Sequence, residues 1–155
     1  LSTYPEGADL ISRAFNIAMD FVGADAFGGS TVEAHPIVGA LALRSHMDRK
    51  RRVGFFVRLE RGEHGVGKQI EGNLIPGMKV AACDDTISTG ESLFAAIDAV
   101  EATGCEVVLV MAILDRRQGG EAEVKRRGIP FFKLWESTPD GKITIVFKVP
   151  DALVK

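Results

Sequence analysis

Cysteine is scarce: Cys83 and Cys105 are the only two in 155 residues, each inside an apolar run (VAAC and CEVVLVM). That argues against a disulfide-stapled secreted scaffold, which at small size is cysteine-dense, and for buried reduced thiols in a cytoplasmic protein. Long hydrophobic runs are missing too. No stretch approaches the ~18 apolar residues that cross a bilayer, and the opening LSTYPEGAD has neither the basic nor the apolar region of a signal peptide. A surplus of one charge is also lacking. Nineteen basic and 21 acidic residues leave a net charge of −2 and a pI near 5.9. This argues against a domain built for non-specific nucleic-acid binding, so neither nucleic acid nor membrane is an expected partner. There is no internal repeat, low-complexity tract or dividing linker. What remains is an ordinary soluble composition, 46% apolar and 26% charged with mean hydropathy +0.10, long enough to bury a core as one domain over 1–155.

Periodicity supplies the elements. Leu10, Ala14, Ile17, Ala18 and Phe21 recur at helical spacing, predicting an amphipathic helix over 9–21 with that stripe in the core. Residues 24–27 form a short buried strand before Gly28-Gly29-Ser30-Thr31. IVGALAL (37–43), behind Pro36, reads as a buried helix, and RVGFFV (52–57) as a strand. Residues 58–72 are polar, hold four glycines and have no periodicity; so long a loop in a compact domain is usually functional. Then the alternation becomes regular. Strand 78–83 is followed by helix 91–102, which Gly104 stops at C′, and by strand 106–114. Helix 121–127 and strands 131–134 and 143–149 complete the chain. The near-continuous apolar run EVVLVMAIL predicts a strand covered on both faces. The fold class is α/β, a doubly wound, mostly parallel sheet with helices on both faces. Ligands in such sheets sit beyond the carboxyl ends of the strands.

Val80–Ser92 reads VAACDDTISTGES. The backbone N–H groups of Ser88 to Ser92 face outward at a helix start, where no intrahelical acceptor exists, and with the helix dipole they can cradle a phosphate. Gly90 allows close approach; the hydroxyls of Ser88, Thr89 and Ser92 add donors. Asp84 and Asp85 would repel a phosphate but can accept from vicinal sugar hydroxyls, directly or through hydrated Mg²⁺. Donors for a phosphate beside acceptors for a diol describe a ribose 5-phosphate. Thr89 as a simple cap, with the carboxylates merely ending a strand, leaves two charges at a buried strand end unexplained. The run matches neither GxxxxGK[ST] nor GxGxxG.

VAACDDTISTGES resembles the phosphoribosyl pyrophosphate (PRPP) motif of the type I phosphoribosyltransferases. Together with GGSTVEAHPIVGALAL (28–43), FFVRLERGEHGVGKQIEG (55–72) and LDRRQGG (114–120), the chain is most similar to the orotate phosphoribosyltransferases. The resemblance implies transfer of a phosphoribosyl group from PRPP to orotate, giving orotidine 5′-monophosphate and pyrophosphate, with Mg²⁺. It assigns the ribosyl hydroxyls to Asp84 and Asp85, and the rest of the PRPP site to Thr86, Ile87, Ser88, Thr89, Gly90, Glu91 and Ser92. Ser88 and Arg116 would meet orotate, and the 28–31 turn the pyrophosphate. Residues 58–72 match a mobile lid that reaches a neighbouring active site across a homodimer. There Arg58 and His64 would bind PRPP, and Arg61, His64 and Lys68 would serve catalysis. Mg²⁺ would be held through PRPP and water near Asp84 and Asp85. Family members usually carry a further N-terminal segment that helps form a hood over the base; here Leu1–Gly7 stands at that place.

The lid departs from the family. Arg-Lys-Glu-x-Lys-x-His-Gly is usual; here Leu59 and Gly62 replace the two lysines. Arg61 or Lys68 could take over the cation's role, since a guanidinium binds phosphate bidentately. Three readings stand: an orotate enzyme with an altered lid, a transferase for another base, and a PRPP or nucleotide sensor without turnover. Asp115 with Arg117 reads as a surface ion pair, and Arg49–Arg52 as a solvated turn rather than an RNA contact.

Overall fold

The computed structural model describes residues 1–59 and 69–146. Helix α1 (Pro5–Val22) leads to strand β1 (Ala26–Gly29), a 3₁₀ turn (Val32–Ala34) and α2 (His35–Met47). Strands β2 (Val53–Val57) and β3 (Ile70–Glu71) precede β4 (Lys79–Ile87), α3 (Glu91–Glu101) and β5 (Glu106–Asp115). Helix α4 (Gly120–Arg126), β6 (Phe131–Ser137) and β7 (Ile143–Ile145) follow. One seven-stranded sheet runs β3-β2-β1-β4-β5-β6-β7. Its inner strands, β2 to β6 in that order, pair in parallel, and the edge strands β3 and β7 are antiparallel. The fold class is as the sequence predicts.

The alternation along β4 and β5 sorts side chains between two layers. Cys83, Leu109 and Met111 pack under α1 and α2 with Phe15, Met19, Ile37 and Leu41. Val80, Ala82, Val110 and Ala112 pack under α3 and α4 with Leu93, Phe94, Ile97 and Val124. Both cysteines are buried and free. From β1 the chain winds outward to β2 on one side, while β4, β5 and β6 wind away on the other. The switch point between β1 and β4 is where a doubly wound sheet leaves a crevice.

Several elements differ from their predicted form. On α1 the stripe expected in the core is largely exposed: Leu10, Ile17 and Phe21 are 67%, 57% and 47% accessible, whereas Phe15 and Met19 are fully buried. The helix carries two apolar stripes, and the buried one also holds Ser12 and Asn16. Asn16 earns its place by polar contacts: it donates to Asp48 (2.6 Å) and accepts from Arg52. Arg52 is therefore no solvated turn residue. Its guanidinium also reaches the Ala24 carbonyl (2.8 Å) and Asp20, clamping the start of β2 to α1. Helix α2 is longer than IVGALAL and buries one face only, leaving Leu43 and Met47 exposed. Strand β1 lies two residues later than expected, so Gly28 and Gly29 are strand rather than loop. Within 58–72, Ile70–Glu71 pairs with β2; Glu60 to Lys68 lie outside the described residues. The last strand is seen as Ile143–Ile145, and 147–149 are likewise outside. Gly104, at φ +83°, falls one residue beyond C′ because α3 ends at Glu101. No helix among the described residues is long and apolar enough to cross a membrane.

Candidate active site

Strand β4 continues to Ile87, so Asp84 and Asp85 lie on the strand, not in the loop after it. Asp84 is 4% exposed. Its Oδ1 accepts from the Thr31 hydroxyl (2.7 Å) and from the Asp85 N–H (2.9 Å). Thr31 in turn accepts from the Ala34 N–H (3.1 Å) and so caps the 3₁₀ turn before α2. One residue earlier, the Ser30 hydroxyl donates to the Ser92 carbonyl (3.2 Å). The turn after β1 is thereby latched to Asp84 and to Ser92, the last residue of the VAACDDTISTGES run, across the switch point. Burial pushes the Asp84 carboxyl up to about 6, against the two hydrogen bonds that favour its charged form. Burial, with the Asp84 charge beside it, also pushes the Cys83 thiol up, so Cys83 offers no thiolate nucleophile.

Helix α3 begins without a side-chain cap. Its N-cap is Gly90 at φ +85°; a Cβ there would stand 2.5 Å from the Phe94 ring. The first intrahelical bond is Phe94 N–H to Gly90 C=O (2.8 Å), which leaves the amides of the first turn directed beyond the end of β4. Thr89 does not cap the helix; it is exposed at the mouth of the turn, with Ser88 and Ser92 half-buried beside it. This arrangement can hold an anion.

The turn carrying Arg116 is tied to the same place. The Arg116 N–H donates to Ile87 C=O (2.9 Å) and the Gly120 N–H to Ser88 C=O (2.9 Å). Gly120 permits that approach, since a Cβ would lie 2.8 Å from the Ser88 oxygen. Asp115 is not a surface residue paired with Arg117, as the sequence suggests: it is fully buried. Its Oδ1 accepts the Arg117 backbone N–H (2.8 Å), with Arg117 at φ +56°, and its Oδ2 accepts from Lys133 Nζ (2.7 Å). Lys133 also meets Glu121 (2.8 Å) and Glu136 (3.0 Å). Burial pulls its ammonium pKa down, but hydrogen bonds to Asp115, Glu121 and Glu136 prevail and hold it above the ordinary lysine range. A cleft of about 320 Å³ opens beside Asp85 and Thr86, walled by Leu1, Ser2, Trp135 and Ile143.

The structure thus brings together Asp84 to Ser92 and the Arg116 turn at one strand-end crevice. Arg58 stands apart at the sheet's outer side, ion-paired with Glu71 of β3. Arg61, His64 and Lys68 lie outside the described residues. Sequence reading did not find Thr31 as a partner of Asp84, nor Lys133 or Trp135. Thr31 is visible there only within the 28–31 turn assigned to pyrophosphate, not as a partner of a carboxylate, and Lys133 is one alternating residue in FFKLWE. Among the described residues no three carboxylate, histidine or cysteine side chains cluster as a metal site.

Paired carboxylates on a parallel strand and an uncapped glycine turn at the switch point define a class: α/β proteins whose strand-end crevice can take a phosphorylated sugar. Residues 7–129 match the phosphoribosyl transferase domain, and the chain belongs to the phosphoribosyltransferase family of pentosyl-transferring enzymes. It is 40% identical over 132 residues to an orotate phosphoribosyltransferase of Aquifex aeolicus, covering 85% of this chain and 72% of that protein. A Mycobacterium tuberculosis orotate phosphoribosyltransferase solved in complex with 5-phospho-α-D-ribosyl 1-diphosphate superposes with a TM-score of 0.71 at 27% identity, over 85% of this chain and 74% of that one. An adenine phosphoribosyltransferase of Rhodothermus marinus, 21% identical, shares the fold with a TM-score of 0.64 over 86% of this chain and 81% of that one.

Proposed function

We propose that the protein transfers the 5-phosphoribosyl group of PRPP to orotate, releasing pyrophosphate. The observation that carries this reading is the juxtaposition at the switch point: an uncapped α3 start for the 5-phosphate, Asp84 and Asp85 for the ribosyl hydroxyls, and the Arg116 turn latched beside them. The orotate activity named for relatives at 31–40% identity supports orotate over another base, and an arginine at 116 suits an anionic one. In this reading the pyrimidine nitrogen forms its bond to ribose C1 as the C1–O bond to pyrophosphate breaks, through a transition state of oxocarbenium character. Asp84 and Asp85 orient the ribose and face the developing positive charge. The amides from Ser88 to Ser92 fix the 5-phosphate, and Ser88 and Arg116 hold orotate. Arg61, His64 and Lys68 meet the departing pyrophosphate, and Arg58, paired with Glu71 at the sheet's outer side, would join them in the partner's site across the dimer.

The donor set fits Mg²⁺ carried on substrate oxygens: two hard carboxylates, with no third ligand among the described residues, suit an ion that keeps most of its waters. Bound there, Mg²⁺ would neutralise charge on the pyrophosphate, reaching Asp84 and Asp85 through water. We also read the protein as a single-domain homodimer whose lid serves the partner's site, consistent with the family resemblance; light scattering at assay concentration should give twice the chain mass.

Turnover of PRPP with a panel of bases tests the reading: orotate should be consumed in step with pyrophosphate release, and adenine, guanine and uracil should not. Arg116→Ala should raise the KM for orotate by about 10–100-fold, the worth of a lost charge-assisted contact, while the KM for PRPP stays within about twofold. Gly90→Ala should abolish the thermal stabilisation that PRPP gives the wild type. Its methyl meets Phe94 where the cradle forms, and an alanine at that positive φ adds about 1–2 kcal/mol of strain.

A further inference from the structure

Lys133 lies on β6, outside every motif that carries the resemblance, yet it is the only described side chain that bonds to the buried Asp115 carboxylate. Asp115 grips the Arg117 N–H with its other oxygen. Arg117 is a non-glycine residue at positive φ, a backbone conformation that persists only when neighbours enforce it. The same turn is pinned at its two ends to Ile87 and Ser88. Arg116 therefore projects from a four-residue turn whose middle depends on one carboxylate, and that carboxylate depends on one ammonium.

Resting on the reading of Arg116 as the residue facing the base, we propose that Lys133 is a positioning residue for base selection, holding the Arg116 turn through Asp115. A surface ion pair would have no such effect. Lys133 has only a tenth of its side chain exposed, and it joins Asp115 on β5 to Glu121 on α4 and Glu136 on β6. It fixes the strand, the turn and the helix after it in one register. Among the described residues, Lys133 makes no hydrogen bond or ion pair to Asp84 or to Thr89–Ser92. Its loss should therefore move base recognition without moving PRPP recognition.

The test is Lys133→Met, with steady-state kinetics in both substrates and amide exchange read at Arg117 and Gly120. The expected result is a KM for orotate raised about tenfold or more and a KM for PRPP within about twofold. Arg117 should lose amide protection while Phe94 in α3 keeps it, and Lys133→Arg should recover part of the orotate KM. If Lys133→Met does not fold because a buried carboxylate is stranded, Lys133→Met with Asp115→Asn removes both charges. That double variant should fold and keep the raised orotate KM. Equal rises in both KM values, or wild-type protection at Arg117, would overturn the proposal. If the wild-type protein turns over no orotate, the base assignment fails instead, and exchange at Arg117 and Gly120 alone decides whether Lys133 holds the turn.

Discussion

Replacing Asp84 with asparagine is expected to make the free protein more stable at pH 8 while removing most of its affinity for PRPP. The two effects share one cause. Asp84 is 4% exposed at the end of β4, and burial raises its carboxyl from 3.8 to about 6. A carboxyl whose folded pKa is raised contributes stability that is complete below its unfolded value and is lost as pH rises through the folded one. Above pH 6 the free protein therefore carries a buried anion at a cost of up to ~3 kcal/mol. Asparagine keeps the shape and can still accept from the Thr31 hydroxyl and the Asp85 N–H, without the charge. The variant should melt several degrees higher at pH 8, at roughly 2–4 °C per kcal/mol, and at pH 4 the difference should nearly vanish. Binding should move the other way. Loss of a charged acceptor for a ribosyl hydroxyl weakens PRPP by about 10–100-fold, as calorimetry at pH 7.5 would read. Wild-type affinity should also fall as pH drops through about 6. The phosphate's own second ionisation lies near 6, so the Asp84 contribution is the difference between wild-type and Asp84→Asn profiles.

The second large effect is expected in the lid. Arg61→Ala should lower kcat by about 10²–10³, the range for removing a preorganised group facing developing charge. Affinity for ribose 5-phosphate, which has no pyrophosphate to meet, should stay as in the wild type. The family's usual lysine at position 62 is a glycine here, so the same variant allows a rescue. Gly62→Lys added to Arg61→Ala should return most of the lost rate if Arg61 stands in for that lysine. A wild-type kcat in Arg61→Ala would give the role to Lys68 or His64.

The strand-end crevice was legible because its residues are local. An apolar strand, two carboxylates, a glycine turn and a helix are consecutive in VAACDDTISTGES, and the structure differs there only in running β4 on to Ile87. The doubly covered β5 was legible for the same reason, as a continuous apolar run. What escaped depends on partners distant in sequence. Periodicity cannot choose between the two apolar stripes of α1, because the choice turns on Asn16 meeting Asp48 and Arg52 from beyond α2. Asp115 reads as a surface charge until Lys133, 18 residues later, is placed on the adjacent strand. Thr31 reads as a turn residue until β1 and β4 are paired and its hydroxyl meets Asp84.

The most direct measurement is a Mg²⁺-dependent assay of the purified protein with PRPP and orotate, run beside thermal unfolding with PRPP alone. The site described here predicts orotate loss matched by pyrophosphate release, and a stabilisation of about 2.7 kcal/mol with PRPP at ~100 times its dissociation constant. PRPP that stabilises the fold while no base is consumed would leave a sensor in place of a transferase. No stabilisation by PRPP and no pyrophosphate release would contradict the reading of the switch-point crevice itself.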